Sequence, residues 1–109
     1  MPLEVQDLCT TIGERIRVAR TRRNMTQQDF ASRLGTSRQT VQRLEAGDPS
    51  VGLGIFLLAT WVLGLHRDLT GILAPERDTV GLREAYRRLP KRAGRRRTTG
   101  DDDYDPDKL

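Results

Sequence analysis

Apolar residues recur along this chain at steps of three and four, the period of helices. Leu8, Ile12, Ile16 and Ala19 form a narrow stripe that predicts a first helix over residues 12 to about 23. Thr11 and Glu14 stand where a capping box would open it. Phe30, Ala31 and Leu34 share one face of a second helix that starts after Thr26, whose hydroxyl can cap the free amides there. Gly35 ends it, because the residue after a helix often takes positive φ. Ser37 can cap a third helix, in which Val41 and Leu44 face inward and Gly47 is the stop. After a loop at residues 47–50, the most apolar part of the chain predicts a fourth helix over residues 53–63, stopped by Gly64. Phe56, Ala59 and Leu63 would close a core over the first three helices. Leu65, Leu69, Ile72 and Leu73 predict a short fifth helix over residues 66–73. Residues 75–78 break the pattern. A last helix, residues 79–89, places Val80, Leu82, Tyr86 and Leu89 together before Pro90 ends it.

The polar positions change the picture most in the third helix. Its outward residues are Arg38, Gln39, Gln42 and Arg43, and none of them gains from a dry core. All four can donate hydrogen bonds to base edges or phosphates. The first helix is crowded with Arg15, Arg17, Arg20, Arg22 and Arg23, and a solvated face is the expectation for Arg15 and Arg22. Asn24 sits where the chain must turn and tolerates left-handed geometry.

The stretch from Met25 to Gly47 resembles the helix-turn-helix of the Cro and phage-repressor (Xre) family, over roughly residues 8–65. The matching features are Ile16, Arg17 and Arg20, then Thr26 and Gln27, then Phe30 and Ala31. Gly35, Ser37, Val41, Leu44, Glu45 and Gly47 complete the register. The resemblance implies an all-α fold, a compact bundle of about five helices, with the third helix entering the DNA major groove. It implies that Arg38 and Gln39 meet base edges, with Gln42 and Arg43 a turn further along. It assigns Ser37 and Thr40 to phosphates and makes Gln27 both a phosphate contact and a brace for the third helix. It also pairs Arg20 with Glu45 in a partly buried ion pair that ties the first helix to the third. Ala46 stands where many relatives carry a polar residue, so no phosphate contact is carried over there.

Charge and composition agree with that reading without requiring it. Lys and Arg outnumber Asp and Glu by 19 to 15, which suits a polyanionic partner. One Cys and one His exclude an internal disulfide and a Cys/His metal cluster, so no metal and no cofactor is expected. Cys9 reads as a small apolar filler, and His66 as a favourable charge near a helix end. No paired acid and base, activated nucleophile or phosphate-cradling glycine loop appears, so no catalytic residue is assigned and an enzyme is not expected. The longest apolar run is too short to span a bilayer. No secretion signal is recognisable, and the cytoplasm is the expected compartment.

The fourth helix carries more apolar surface than so small a core can take. Leu57, Leu58 and Trp61 are left over and are candidates for a homodimer interface, which suits a motif that reads half-sites in pairs. The segment over residues 47–65 further resembles DNA-binding antitoxins of the HipB type. That resemblance implies a partner, a HipA-like kinase toxin, and repression of the chain's own operon. The strand that can end such antitoxins is not carried over.

The expected organisation is a flexible N-terminus at residues 1–10 and a helix-turn-helix domain at 11–74. A helical extension at 75–90 precedes a disordered tail at 91–109. That tail splits into a basic cluster (Lys91, Arg92, Arg95, Arg96, Arg97) and an acidic end (Asp101, Asp102, Asp103, Asp105, Asp107). The chain thus reads as a sequence-specific, double-stranded-DNA-binding repressor and antitoxin. The alternative is an adaptor that uses the same fold to inhibit a kinase without specific DNA binding.

Overall fold

The computed structural model describes residues 1–90; the basic and acidic clusters of the tail lie outside the described residues. These are all helical or loop, with no strand among them: α1 (Leu3–Arg22), α2 (Gln27–Leu34), α3 (Arg38–Glu45), α4 (Leu53–Val62) and α5 (Thr79–Arg87). Short 3₁₀ turns span His66–Gly71 and Pro75–Arg77. The described residues divide into two units, Met1–Ile72 and a second that begins at Leu73.

In the first unit a small apolar core gathers around Phe30 and Val41, both fully buried, with Ile16, Ala31, Leu34, Leu44, Ala59 and Leu63 around them. α2 and α3 contribute the apolar residues their periodicity marked, α4 contributes Ala59 and Leu63 with Phe56 partly buried against them, and α1 contributes only Ile16 and Ala19 of its predicted stripe. The helix ends follow from local chemistry. Thr26 accepts from the Asp29 amide at 3.0 Å, and the Asp29 carboxylate accepts from the Thr26 amide at 3.0 Å. This reciprocal cap satisfies two amides that the first turn leaves without helical partners. Gly35 then turns the chain at φ 68°, and the Thr36 amide donates back to the Ala31 carbonyl at 3.0 Å. Asn24 takes φ 57° at the end of α1, as its position suggested.

Three expectations are corrected. First, α1 begins at Leu3 and not at residue 12, so the segment expected to be loose is helical almost from its start. Thr11 and Glu14 therefore lie within a helix and form no capping box. Pro2 precedes the helix and Glu4 sits in its first turn, both of which favour an early start. Second, Leu8 and Ile12 are exposed rather than core residues. Gly13 is the residue that faces inward there. A Cβ at Gly13 would stand 2.5 Å from the Glu45 carbonyl oxygen and 2.7 Å from the Gly47 nitrogen. The missing side chain lets the α1 backbone lie directly on the end of α3. Third, residues 66–71 form a 3₁₀ turn and not an α-helix, and Leu73 follows with φ 59°.

α4 ends where expected, with Leu63 as its last cap and Gly64 at φ 76°. In the second unit, Asp78 caps α5 by accepting from the Gly81 amide at 2.8 Å. Val80, Leu82, Tyr86 and Leu89 are all exposed.

Candidate nucleic-acid interface

α3 presents its polar side outward. Arg38, Gln39, Gln42 and Arg43 are exposed, whereas Val41, Leu44 and Glu45 are buried. Ser37 opens the helix and accepts from the Thr40 amide at 3.1 Å, and its hydroxyl also lies 3.1 Å from that of Thr40. The two hydroxyls therefore sit together at the start of α3, where the helix dipole favours an anion. Ser37 is exposed and Thr40 half-buried.

The turn and the far end of α3 are equally defined. Gly47 takes φ 77°, and the Asp48 amide donates to the Arg43 carbonyl at 2.9 Å. A Cβ on Gly47 would lie 2.6 Å from the Cys9 carbonyl oxygen. Both its φ and that close approach demand glycine. Asp48 accepts from the Ser50 amide at 2.8 Å and the Ser50 hydroxyl at 2.7 Å. The backbone amide of Ser50, then its hydroxyl, hold the Asp48 carboxyl below its ordinary range. The carboxylate thus turns the loop on itself.

Behind the outward face runs a connected polar network. Arg20 donates from Nε to Glu45 Oε2 at 2.5 Å and from Nη2 to Oε1 at 3.0 Å. Its Nη1 donates to the Met25 carbonyl at 2.7 Å. Both side chains are nearly removed from solvent. A two-pronged pair with a third bond to the backbone fits the guanidinium's planar set of donors. Gln27, half-buried at the start of α2, donates to Glu45 Oε1 at 3.2 Å. Its own oxygen accepts a long bond from Arg38 Nε at 3.5 Å. The chain of contacts thus passes from the inside of the fold to the first residue of the outward face.

The structure joins Gln27 to Arg38 and Ser37 to Thr40 by hydrogen bonds around the start of α3, and places Gln39, Gln42 and Arg43 on the same exposed face of the helix. Leu57, Leu58 and Trp61 are exposed on α4, apart from this network. Sequence reading missed Gly13, the Asp29 half of the α2 cap and the Met25 carbonyl as an Arg20 partner. A glycine inside an otherwise helical pattern was the available signal for the first, and Thr26-x-x-Asp29 for the second. The third has no local signal.

An all-helical unit with two capped eight-residue helices joined through a left-handed glycine defines a helix-turn-helix. Residues 16–60 match the helix-turn-helix family model, which supports the resemblance to the Cro and phage-repressor family and a role as a DNA-binding transcription regulator. No curated protein and no solved structure matches the chain. No helix among the described residues is long and apolar enough to cross a membrane.

Proposed function

We propose that the chain is a sequence-specific transcriptional repressor that binds operator DNA as a homodimer in the cytoplasm. The observation that carries this reading is the outward row Arg38, Gln39, Gln42 and Arg43 on a helix whose opposite side is pinned by a buried ion pair. Arg38 is suited to O6 and N7 of guanine, and Gln39 to N6 and N7 of adenine. Gln42 and Arg43 extend the same row. Ser37, Thr40 and Gln27 surround the helix start and fit phosphates, which fix register without carrying sequence. Residues 11–74 make up the DNA-binding domain in this reading, and residues 75–90 an extension. The exposed Leu57, Leu58 and Trp61 supply the dimer seam, and two copies would read half-sites about one DNA turn apart.

The finer role is that of a HipB-type antitoxin, repressing its own operon and neutralising a HipA-like kinase. It rests on the resemblance of residues 47–65. Electrophoretic shifts on the DNA upstream of the chain's own gene test the repressor role. A shift competed by that DNA and not by unrelated DNA is expected, and no shift at moderate salt would overturn it. Co-purification with a kinase encoded beside the gene tests the antitoxin role. A neighbourhood without one removes that role and leaves the repressor standing.

A further inference from the structure

The side of α1 turned away from α3 carries a cleft lined by three arginines and, among the described residues, no carboxylate. Gly13 and Arg20 face α3. Arg22 follows Gly13 by about two and a half helical turns and so stands on the opposite side. Arg15 precedes Arg22 by about two turns and shares that side, roughly 10 Å away along the axis. With Arg23 they rim an open cleft of about 360 Å³, whose floor is Val18, Ala19 and Leu65. Leu65 is fixed by the end of α4. Its amide donates to the Thr60 carbonyl at 2.8 Å, and the Gly64 amide to the Trp61 carbonyl at 3.0 Å. These are the two bonds of a Schellman turn, closed through Gly64 at φ 76°. Arg23 is pinned as well, with Nη1 donating to the Ala19 carbonyl at 2.8 Å. Arg17, Arg20 and Arg87 each have a carboxylate partner, but none of the ion pairs among the described residues involves Arg15, Arg22 or Arg23. The carbonyl ends of α1 and α4 offset at most about half a charge each. About two positive charges therefore remain uncompensated at the cleft.

We propose that this cleft binds a small organic dianion of the phosphate-ester type. The uncompensated charge sets the sign and valence of the ligand, and the planar donor set of a guanidinium matches phosphate oxygens in pairs. The apolar floor gives an organic body a surface that inorganic phosphate would leave wet. The volume is that of a small-molecule site. Six lining residues are too few for a protein partner, since such interfaces take about 20–30 residues a side. A duplex docked on α3 leaves this side of α1 free, and in that one respect the assignment rests on the function proposed above.

The test titrates the full chain, without DNA, with phenyl phosphate, inorganic phosphate and phenol at about pH 8, where a phosphate ester is a dianion. Amide chemical shifts locate each probe. Phenyl phosphate should move the amides of Arg15, Val18, Ala19, Arg22, Arg23 and Leu65 and saturate near a dissociation constant of about 1 mM or below. Inorganic phosphate should bind there roughly fivefold more weakly or worse, and phenol should not saturate. The double variant Arg15→Gln, Arg22→Gln changes two exposed positions to another good helix former. It should weaken phenyl phosphate roughly tenfold or more, with helical circular dichroism and the salt dependence of DNA binding unchanged. Shifts confined to the start of α3, or a double variant that binds phenyl phosphate as well as the parent, overturn the site. Equal affinity for phosphate and phenyl phosphate overturns the organic class of ligand. A double variant whose DNA binding loses salt dependence places these arginines on DNA phosphates and overturns the small-molecule assignment. The titration contains no DNA, so failure to find an operator leaves its outcome readable.

Discussion

Arg20 and Glu45 lie 25 positions apart in the sequence and meet through two hydrogen bonds in a nearly water-free site between α1 and α3. Removing the charges from water costs free energy that their attraction only partly offsets, so the pair is better understood as fixing an orientation than as adding stability. Losing one partner is a different matter. Glu45→Ala leaves the guanidinium buried with only the Met25 carbonyl, and Gln27 loses an acceptor. We expect a loss of about 3–5 kcal/mol, measured by denaturant unfolding. The double change Arg20→Met, Glu45→Leu should recover much of it, since it leaves no bare charge. A single variant as stable as the parent would show that the pair is not closed in solution.

The outward face of α3 gives the DNA prediction. Arg38→Ala and Gln39→Ala should each cost about 1–3 kcal/mol at the base pair they read. The double variant should lose its preference for operator over scrambled DNA while keeping weak, salt-sensitive binding to both. Competition titrations at fixed salt measure this. Unchanged operator preference in the double variant would mean that another face docks.

Two glycines inside helices should respond in opposite directions. At Gly13 the three atoms nearest an added Cβ are all backbone and lie within 2.8 Å, and backbone cannot rotate away. Gly13→Ala should therefore separate α1 from the end of α3 and cost about 1–3 kcal/mol, the usual range for overpacking. At Gly54 none of the described residues lies within 4 Å of an added Cβ. Gly54→Ala should stabilise the fold by about 0.5–1 kcal/mol by restricting the unfolded chain and favouring the helix. Paired thermal melts check both signs.

The cap of α2 carries a pH dependence. The Thr26 amide, then the Thr26 hydroxyl, hold the exposed Asp29 carboxyl below its ordinary value of 3.8. A carboxyl with a depressed folded-state pKa stabilises the fold fully above its unfolded value, and the contribution disappears as pH falls through the folded value. The stability gap between the parent and Asp29→Asn should thus be constant near neutral pH and narrow only on acidification below 3.8. Melts from pH 7 to pH 2 follow it, and a gap that closes at higher pH would rule out this cap as its source.

The elements that were legible in the sequence are those whose signals are local. Thr26, Gly35, Ser37 and Gly47 each act on amides or dihedrals within a few residues, so α2, the turn and α3 fell where the pattern placed them. The exposure of Arg38, Gln39, Gln42 and Arg43 followed from the inward placing of Val41 and Leu44. The start of α1 was misread because Thr11 and Glu14 imitate a cap, while the residue between them that matters, Gly13, acts through its contact with α3. That contact depends on how distant segments pack. The same holds within the site. Gln27 reaches Glu45 and Arg38 across 18 and 11 positions, and the Met25 carbonyl as an Arg20 partner exists only once the fold has closed.

α3 has eight residues, too few to hold a helix by themselves in water, where isolated helices shorter than about 12–15 residues are marginal. Its shape is borrowed from Val41, Leu44 and Glu45 on the side away from solvent. In the function proposed above, reading a DNA address is therefore an all-or-none property of the folded unit. A synthetic peptide copied from residues 37–47 should arrive at an operator without the shape that reads it, and warming the protein should end discrimination at the melting temperature itself rather than erode it beforehand.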